Sequence, residues 1–572
     1  MHTRYPSDAE WTQSRVDTLP RHWSNDLLSI WAETAAHNPY KANVQLRETT
    51  EALLQVRIPL DASDSTICEA AKALANLCAS RAEIFHKIEP LRSAMERVCH
   101  RQSIKPPPGE MADRPSIARM CCPLWWRRRL RRHQGQVVEA AAIQLGHVNK
   151  SRDLYVSNER FRARQQQNER NAASLDSTIA RNEFGQEFTL AELAATSPAN
   201  KRVRRCELMT RISGFERIAL DMGHAGLFMT LTCPSRFHRW RTVNSGKTVI
   251  SNPNFDPAET PATAQKYLCN VWALIRSALA RQGIRLYGFR IAEPQHDATP
   301  HWHFLVFCPK QAMQAVIETV REYALRDNPD EKGAQEHRCD FKSIDWSKGS
   351  AAGYIAKYVA KNIDGHGVGD DFNGKPATES AARVEAWATT WGIRQFQQVG
   401  GPPIGVWREL RRVEKLPAGA PAHLRQAHDA VNKVAVIEGR ENASVAWDHY
   451  CKAQGGVFCG RDAQIKLAML TPEKPGRYGD EPAPRPYGVE TTSTETYTES
   501  GSDSMSSRVV NWVVESARHT WEIVFKKSKP ADDRRSVAER EEPAQPWTCV
   551  NNCTNMCAKI QSNISDFPRR SS

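Results

Sequence analysis

Two histidines flank a tryptophan at His301-Trp302-His303, within a run of residues that favour extended backbone. On a strand, successive side chains point to opposite faces. Both imidazoles then share one face while Trp302 turns into the core on the other. Two same-face imidazoles can give one divalent ion a pair of neutral nitrogen ligands, although such pairs also occur on partly exposed polar faces. A hard ion such as Mg2+ or Mn2+ calls for an oxygen ligand as well. Glu293 ends the preceding expected strand, and a short turn returns it beside His301, making it the expected third ligand. His296 and Asp297, in the turn, are alternatives.

The second chemical group is Tyr354-Ile355-Ala356-Lys357-Tyr358. Residues four apart on a helix share a face, so the phenols of Tyr354 and Tyr358 point the same way. Lys357 and Lys361 line an adjacent face and can hold a phosphate. In isolation, tyrosines at this spacing are ordinary core residues. A phenol with a pKa of about 10 is a poor nucleophile at neutral pH. A metal that polarises a scissile phosphate compensates by stabilising the charge of the transition state. The two halves therefore explain each other as metal-assisted attack of a tyrosine hydroxyl on a phosphodiester.

The elements that must position these groups follow from periodicity. Strands are expected at Gly226–Pro234, Ile284–Glu293 and His301–Cys308, with Arg338–Trp346 extended. Helices are expected at Pro261–Gln282, ending at Gly283, at Gln311–Arg326 and at Ala351–Lys361. This order describes an α+β fold, a central antiparallel sheet flanked by helices. Residues 1–110 read as a helical amino-terminal region, with helices at Thr66–Ile88 and Leu91–Arg101 broken at Pro90. Residues 111–215 form a basic helical region, 216–420 the catalytic domain and 421–470 a helical extension. Residues 471–572, rich in Pro, Gly, Ser, Thr and Glu, read as a low-complexity, disordered tail.

In the basic region, Trp125 and Trp126 precede Arg127, Arg128, Arg129, Arg131 and Arg132. Arginines beside tryptophans can grip phosphates and stack on bases, and the expectation is a DNA contact. The excess of 78 Lys and Arg over 65 Asp and Glu, a net charge of +13, also favours a polyanionic partner. No segment approaches the roughly 20 apolar residues of a membrane span. The polar start and fifteen cysteines without framework spacing lead to an expected cytoplasmic location. Gly246-Lys247-Thr248 lacks the first glycine of a phosphate loop, so ATPase activity is not expected and unwinding falls to a host helicase. Cys549, Cys553 and Cys557 lack the paired spacing and fourth ligand of a zinc site.

The block from Phe228 to Lys361 resembles the HUH endonucleases of rolling-circle replication, and most closely the replication gene A proteins of P2-like phages. The residues carrying this are F-M-T-L-T-C-P-S (228–235), E-P-Q-H-D-A-T-P-H-W-H (293–303), Y-I-A-K-Y-V-A-K-N (354–362) and W-G-I-R-Q-F-Q-Q-V-G-G-P-P (391–403). The run C-P-L-W-W-R-R-R-L-R-R (122–132) also fits. The resemblance implies a ferredoxin- or RRM-like palm and a two-tyrosine mechanism acting on single-stranded or origin DNA in a bacterial host. One of Tyr354 and Tyr358 attacks to leave a 5′-phosphotyrosine link and a free 3′-hydroxyl; the other cleaves the regenerated junction. It assigns His301, His303 and Glu293 to the ion and Lys357 to the phosphate. The alternatives are a two-tyrosine transposase of the same class and a non-catalytic DNA- or RNA-binding initiator.

Overall fold

The computed structural model describes residues 8–17, 19–54, 59–243, 248–347, 349–365, 376–433, 436–437, 440–498 and 505–525. Gly246, Lys247, most of the glycine-rich loop at 365–375 and the three cysteines near the end lie outside them.

The elements around the site are, in chain order, α1 (Lys201–Asp221), β1 (Ala225–Leu231), α2 (Pro261–Arg281), β2 (Tyr287–Pro294) and β3 (Pro300–Cys308). They continue as α3 (Met313–Leu325), β4 (Cys339–Ser343), α4 (Ala351–Ile363), α5 (Ala377–Trp391) and β5 (Phe396–Val399). The strands form one five-stranded sheet in the order β4-β1-β3-β2-β5, with every neighbouring pair antiparallel. The expected strands and helices are all present, their ends displaced by a few residues.

Both faces of the sheet are covered, which is why β2 is buried throughout and β3 at every residue but His301. One face packs Trp302, Phe304 and Val306 against Leu268, Trp272 and Ile275 of α2 and Val316 and Val320 of α3. The other packs Tyr287, Phe289, Leu305 and Phe307 against Ile212 and Phe215 of α1 and Ile355 and Val359 of α4. Gly288 is required in β2: its φ is +145°, and a Cβ there would run into the carbonyl oxygen of Leu305.

The amino-terminal region is helical as expected, but the break differs. One helix spans Asp64–Ile84, capped by the Ser63 hydroxyl, and the next spans Ile88–Arg101. Pro90 sits inside the first turn of the second helix, where an N–H would have no intrahelical partner. The break falls just before it.

Disorder from residue 471 is corrected for the described part of the tail. Ile465–Leu470, Arg485–Thr498 and Met505–Glu515 make a three-stranded antiparallel sheet, and Trp521–Phe525 pairs with Thr178–Asn182. A Ser/Thr/Glu-rich composition reads as unfolded, yet Thr is β-branched and fits a pleated, half-buried surface. In this hairpin Thr494 faces Val509 and Thr491 faces Trp512. Among the described residues no helix is long and apolar enough to cross a membrane.

Candidate metal centre and tyrosine helix

The turn between β2 and β3 closes with the Gln295 N–H donating to the Thr299 carbonyl at 2.7 Å. This sets Glu293 directly opposite His301 in the antiparallel register. Side chains of 293, 301 and 303 then share the face that α4 covers. One ligand atom from each of Glu293, His301 and His303 lies within 4.8 Å of the others. The two imidazole Nε2 atoms are 2.9 Å apart, and Glu293 Oε2 is 3.6 Å from His303 Nε2. Two metal–nitrogen bonds of about 2.1 Å at right angles put their nitrogens about 3 Å apart. The donor set therefore fits one divalent ion.

Further contacts orient these three side chains. Thr230 Oγ1, on β1, lies 3.1 Å from His303 Nδ1, and a proton on Nδ1 leaves the Nε2 lone pair facing its neighbours. Asn362 Nδ2 donates to Glu293 Oε1 and, at 2.7 Å, to the Tyr358 carbonyl, tying α4 to the carboxylate. Burial alone would raise the Glu293 pKa. The nearby His303 and the charge of Lys361 outweigh it and hold the carboxyl at about 2. Burial and the neighbouring His303 push His301 down to about 3, so its imidazole is neutral. Glu293 is thus ionised and His301 neutral near neutral pH, as ligation of an ion requires.

The tyrosine helix is set by both of its ends. At its start Glu216, a buried carboxylate from α1, accepts the Ala351 N–H at 2.7 Å and the Ala352 N–H at 3.0 Å. The Ser350 hydroxyl accepts from Gly353 at 2.8 Å. These groups satisfy the first free donors of the helix and put negative charge at its positive end. Tyr358 is half-buried with its ring centroid 4.6 Å from that of His303, whereas Tyr354 is 43% exposed. Phe228 of β1 packs edge-on to Tyr354 at 4.7 Å and lies 5.5 Å from Tyr358 and from His303. Burial, with the neighbouring Tyr354 and Glu293 charges, pushes the Tyr358 phenol up to about 12.

The two lysines diverge. Lys357 is exposed on α4, whereas Lys361 turns inward, its Nζ 3.9 Å from Glu293 Oε2 and 5.5 Å from the centre of the Tyr155 ring. The alternative ligands are engaged elsewhere. His296 stacks on Tyr155, and Asp297 Oδ2 is 3.1 Å from His238 Nδ1.

The tryptophans of the basic run require a correction. Trp126 is fully buried and donates from Nε1 to the Met120 carbonyl at 2.7 Å, while Trp125 is 7% exposed. Both belong to the amino-terminal core with Ile67, Met95 and Val98. They anchor the helix Pro123–Gln144 and have no face open for a base. Arg127 is half-buried and Arg128 exposed. Arg128 lies sixteen residues, about 24 Å along the axis, from the last residue of that helix, Gln144.

Sequence reasoning missed Phe228, Glu216 and Asn362 and assigned Thr230 no role. For Asn362 a signal existed, because it follows Tyr358 by four residues and so shares its helix face. Glu216 carried none, since its partners lie more than 130 residues away.

The chain matches the profile of the bacteriophage replication gene A protein (GPA) family over residues 40–366, a span containing Glu293, His301, His303 and both tyrosines. It belongs to that family. It is 39% identical to the replication gene A protein of Escherichia phage P2 over 388 residues, covering 65% of this chain and 49% of that protein. It is 30% identical over 606 aligned residues to the "Probable replication protein P12" of Pseudoalteromonas phage PM2, covering 98% and 87%. A Salmonella typhimurium protein named "Probable replication endonuclease from prophage-like region" is 32% identical over 459 residues, covering 78% of this chain and 53% of its own. The chain thus spans about half the length of the phage P2 and Salmonella relatives. No solved structure matches it.

Proposed function

We propose that this chain is a replication initiator that nicks one DNA strand through a tyrosine and rejoins ends in rolling-circle replication. The observation that carries the reading is the convergence of Glu293, His301 and His303 beside Tyr358 on a capped helix. Family membership supports it, as does the name "replication endonuclease" carried by the Salmonella relative. We read the antiparallel sheet as the palm of an HUH endonuclease.

In this reading Glu293, His301 and His303 hold Mg2+ or Mn2+. The bound ion would polarise the scissile phosphate and stabilise the charge it accumulates. The phenol of Tyr358 or Tyr354 loses its proton and attacks phosphorus. A bond from Oη to phosphorus forms, the bond to the 3′-oxygen breaks, and that oxygen leaves as a hydroxyl. The phosphodiester energy stays in the phosphotyrosine link, so a later 3′-hydroxyl can reverse the step without ATP. Asn362 and Thr230 keep the ligands oriented, and Phe228 packs against both phenols. Lys357 and Lys361 contribute positive charge for the phosphate, while Arg127 and Arg128 contact DNA away from the scissile bond. Unwinding falls to a helicase of the bacterial host.

The test is incubation with Mn2+ and end-labelled single-stranded origin DNA, followed by a denaturing gel. A protein–DNA adduct that disappears in the Tyr354→Phe, Tyr358→Phe double variant supports the reading. The absence of an adduct on either origin strand overturns it in favour of a non-catalytic initiator.

A further inference from the structure

The turn joining the two ligand strands also forms one wall of a cleft of about 340 Å3. Its other walls come from remote segments: Asn149 and Lys150, then Trp240 and Arg241, then Asn254, and finally Lys332. A second hollow of about 360 Å3 continues it, sharing Ser235, Asn254, Glu331 and Lys332. Lys150, Arg241 and Lys332 are exposed.

The acidic groups in the walls are mostly engaged internally. Asp297 holds His238 and the Thr299 N–H, and Glu331 holds the Ser235 N–H and Arg338. Asp330 alone stands exposed, at the far end. The indole N–H of Trp240 is buried without a hydrogen-bond partner among the described residues. Its ring lies under Arg239, 4.6 Å from the guanidinium, and fills the space that a Cβ on Gly146 would need. The cleft also leads to the chemistry. His296, in its wall, stacks on Tyr155 with ring centres 6.3 Å apart, and the Lys361 ammonium lies over the same Tyr155 ring.

We propose that this cleft holds the single-stranded DNA next to the scissile phosphate. Lys150, Arg241 and Lys332 neutralise backbone phosphates, while Asn254 and Gln295 meet base edges. A duplex, whose major groove alone is about 12 Å wide, does not enter a hollow of this size, whereas an unpaired strand does. The inference rests on the endonuclease reading for its position beside the scissile bond, but its test reads binding rather than cleavage.

Fluorescence anisotropy of a fluorescein-labelled, single-stranded thirty-nucleotide probe is measured with the full chain at several salt concentrations. Arg241→Glu with Lys332→Glu is expected to weaken binding about tenfold or more and to lower the salt slope by about 0.7 per lost phosphate contact. A control pair outside the cleft, Arg461→Glu with Lys466→Glu, leaves the affinity within about twofold. Unchanged affinity in the cleft variant, or an equal loss in the control pair, overturns the proposal. Adduct formation is scored separately. If adducts fail while the cleft-specific loss holds, the groove stands and the chemistry falls; if adducts form with unchanged cleft affinity, the groove falls and the chemistry stands.

Discussion

The ring of Tyr358 lies 4.6 Å from the imidazole of His303, so α4 and the Glu293–His301–His303 cluster form one contiguous site. Tyr354, one turn earlier, sits 6.3 Å from Tyr358 on the solvent side, with Phe228 packed against it. The two phenols share a helix face but not an environment.

That inequality predicts unequal single variants. Tyr358→Phe is expected to reduce adduct formation on an intact strand far more than Tyr354→Phe, on the order of 100-fold or more if Tyr358 alone reaches the polarised phosphate. Adduct yield against time on denaturing gels measures both. Equal losses contradict the assignment of the nearer phenol.

The fit of the donor set to an ion predicts linkage between metal and stability. With free Mn2+ at about 100 times its dissociation constant, the folded state gains about 2.7 kcal/mol. Thermal unfolding with Mn2+ and with EDTA should therefore differ by a few degrees in the parent chain. In His301→Ala, His303→Ala the difference should vanish; if it persists, the ion binds elsewhere.

Asn362 links the Glu293 carboxylate to the backbone of α4. Asn362→Leu should weaken Mn2+ binding by about 10- to 100-fold, as expected when a group orienting a ligand is lost. Calorimetric titration reads this directly. Unchanged affinity would mean that Glu293 orients itself.

Glu216 caps the start of α4. Glu216→Ala leaves two helix N–H groups buried and unpaired, at a cost of about 1–3 kcal/mol each. Glu216→Gln retains an acceptor oxygen and should recover part of the loss. Urea denaturation separates the variants, and adduct rates should fall in the same order.

Glu385 on α5 supplies the pH dependence. Burial works against its charge, but Lys201, Asn168 and Arg164 hold its carboxyl at about 2, below the unfolded value of about 4.3. A depressed folded pKa contributes stability that is present above the unfolded value and is lost as pH falls towards 2. Glu385→Gln should thus be less stable than the parent at pH 7, and the gap should close between about pH 4 and pH 2. A gap independent of pH would show that shape, not charge, is responsible.

How much of this site was legible in the sequence depended on the range of each interaction. The His-Trp-His alternation and the short turn after Glu293 fixed the ligand geometry locally, because strand period and hairpin register act over a few residues. The tyrosine pair was equally local. Phe228, Thr230 and Glu216 were not visible as site residues, since their roles exist only after β1, β3, α1 and α4 pack together. Trp125 and Trp126 misled because an indole beside arginines suits a base and a core equally, and only burial decides. The hairpin at Arg485–Glu515 was hidden by a polar composition whose threonines are also good strand formers.

The central claim is that a phenol on α4 becomes covalently joined to DNA beside this metal centre. The adduct formed with Mn2+ and single-stranded origin DNA should be digested with protease, and the DNA-linked peptide sequenced by mass spectrometry. The account predicts linkage at Tyr358 or Tyr354, abolished by EDTA. Linkage at any other residue, or the same linkage in the presence of EDTA, would contradict it.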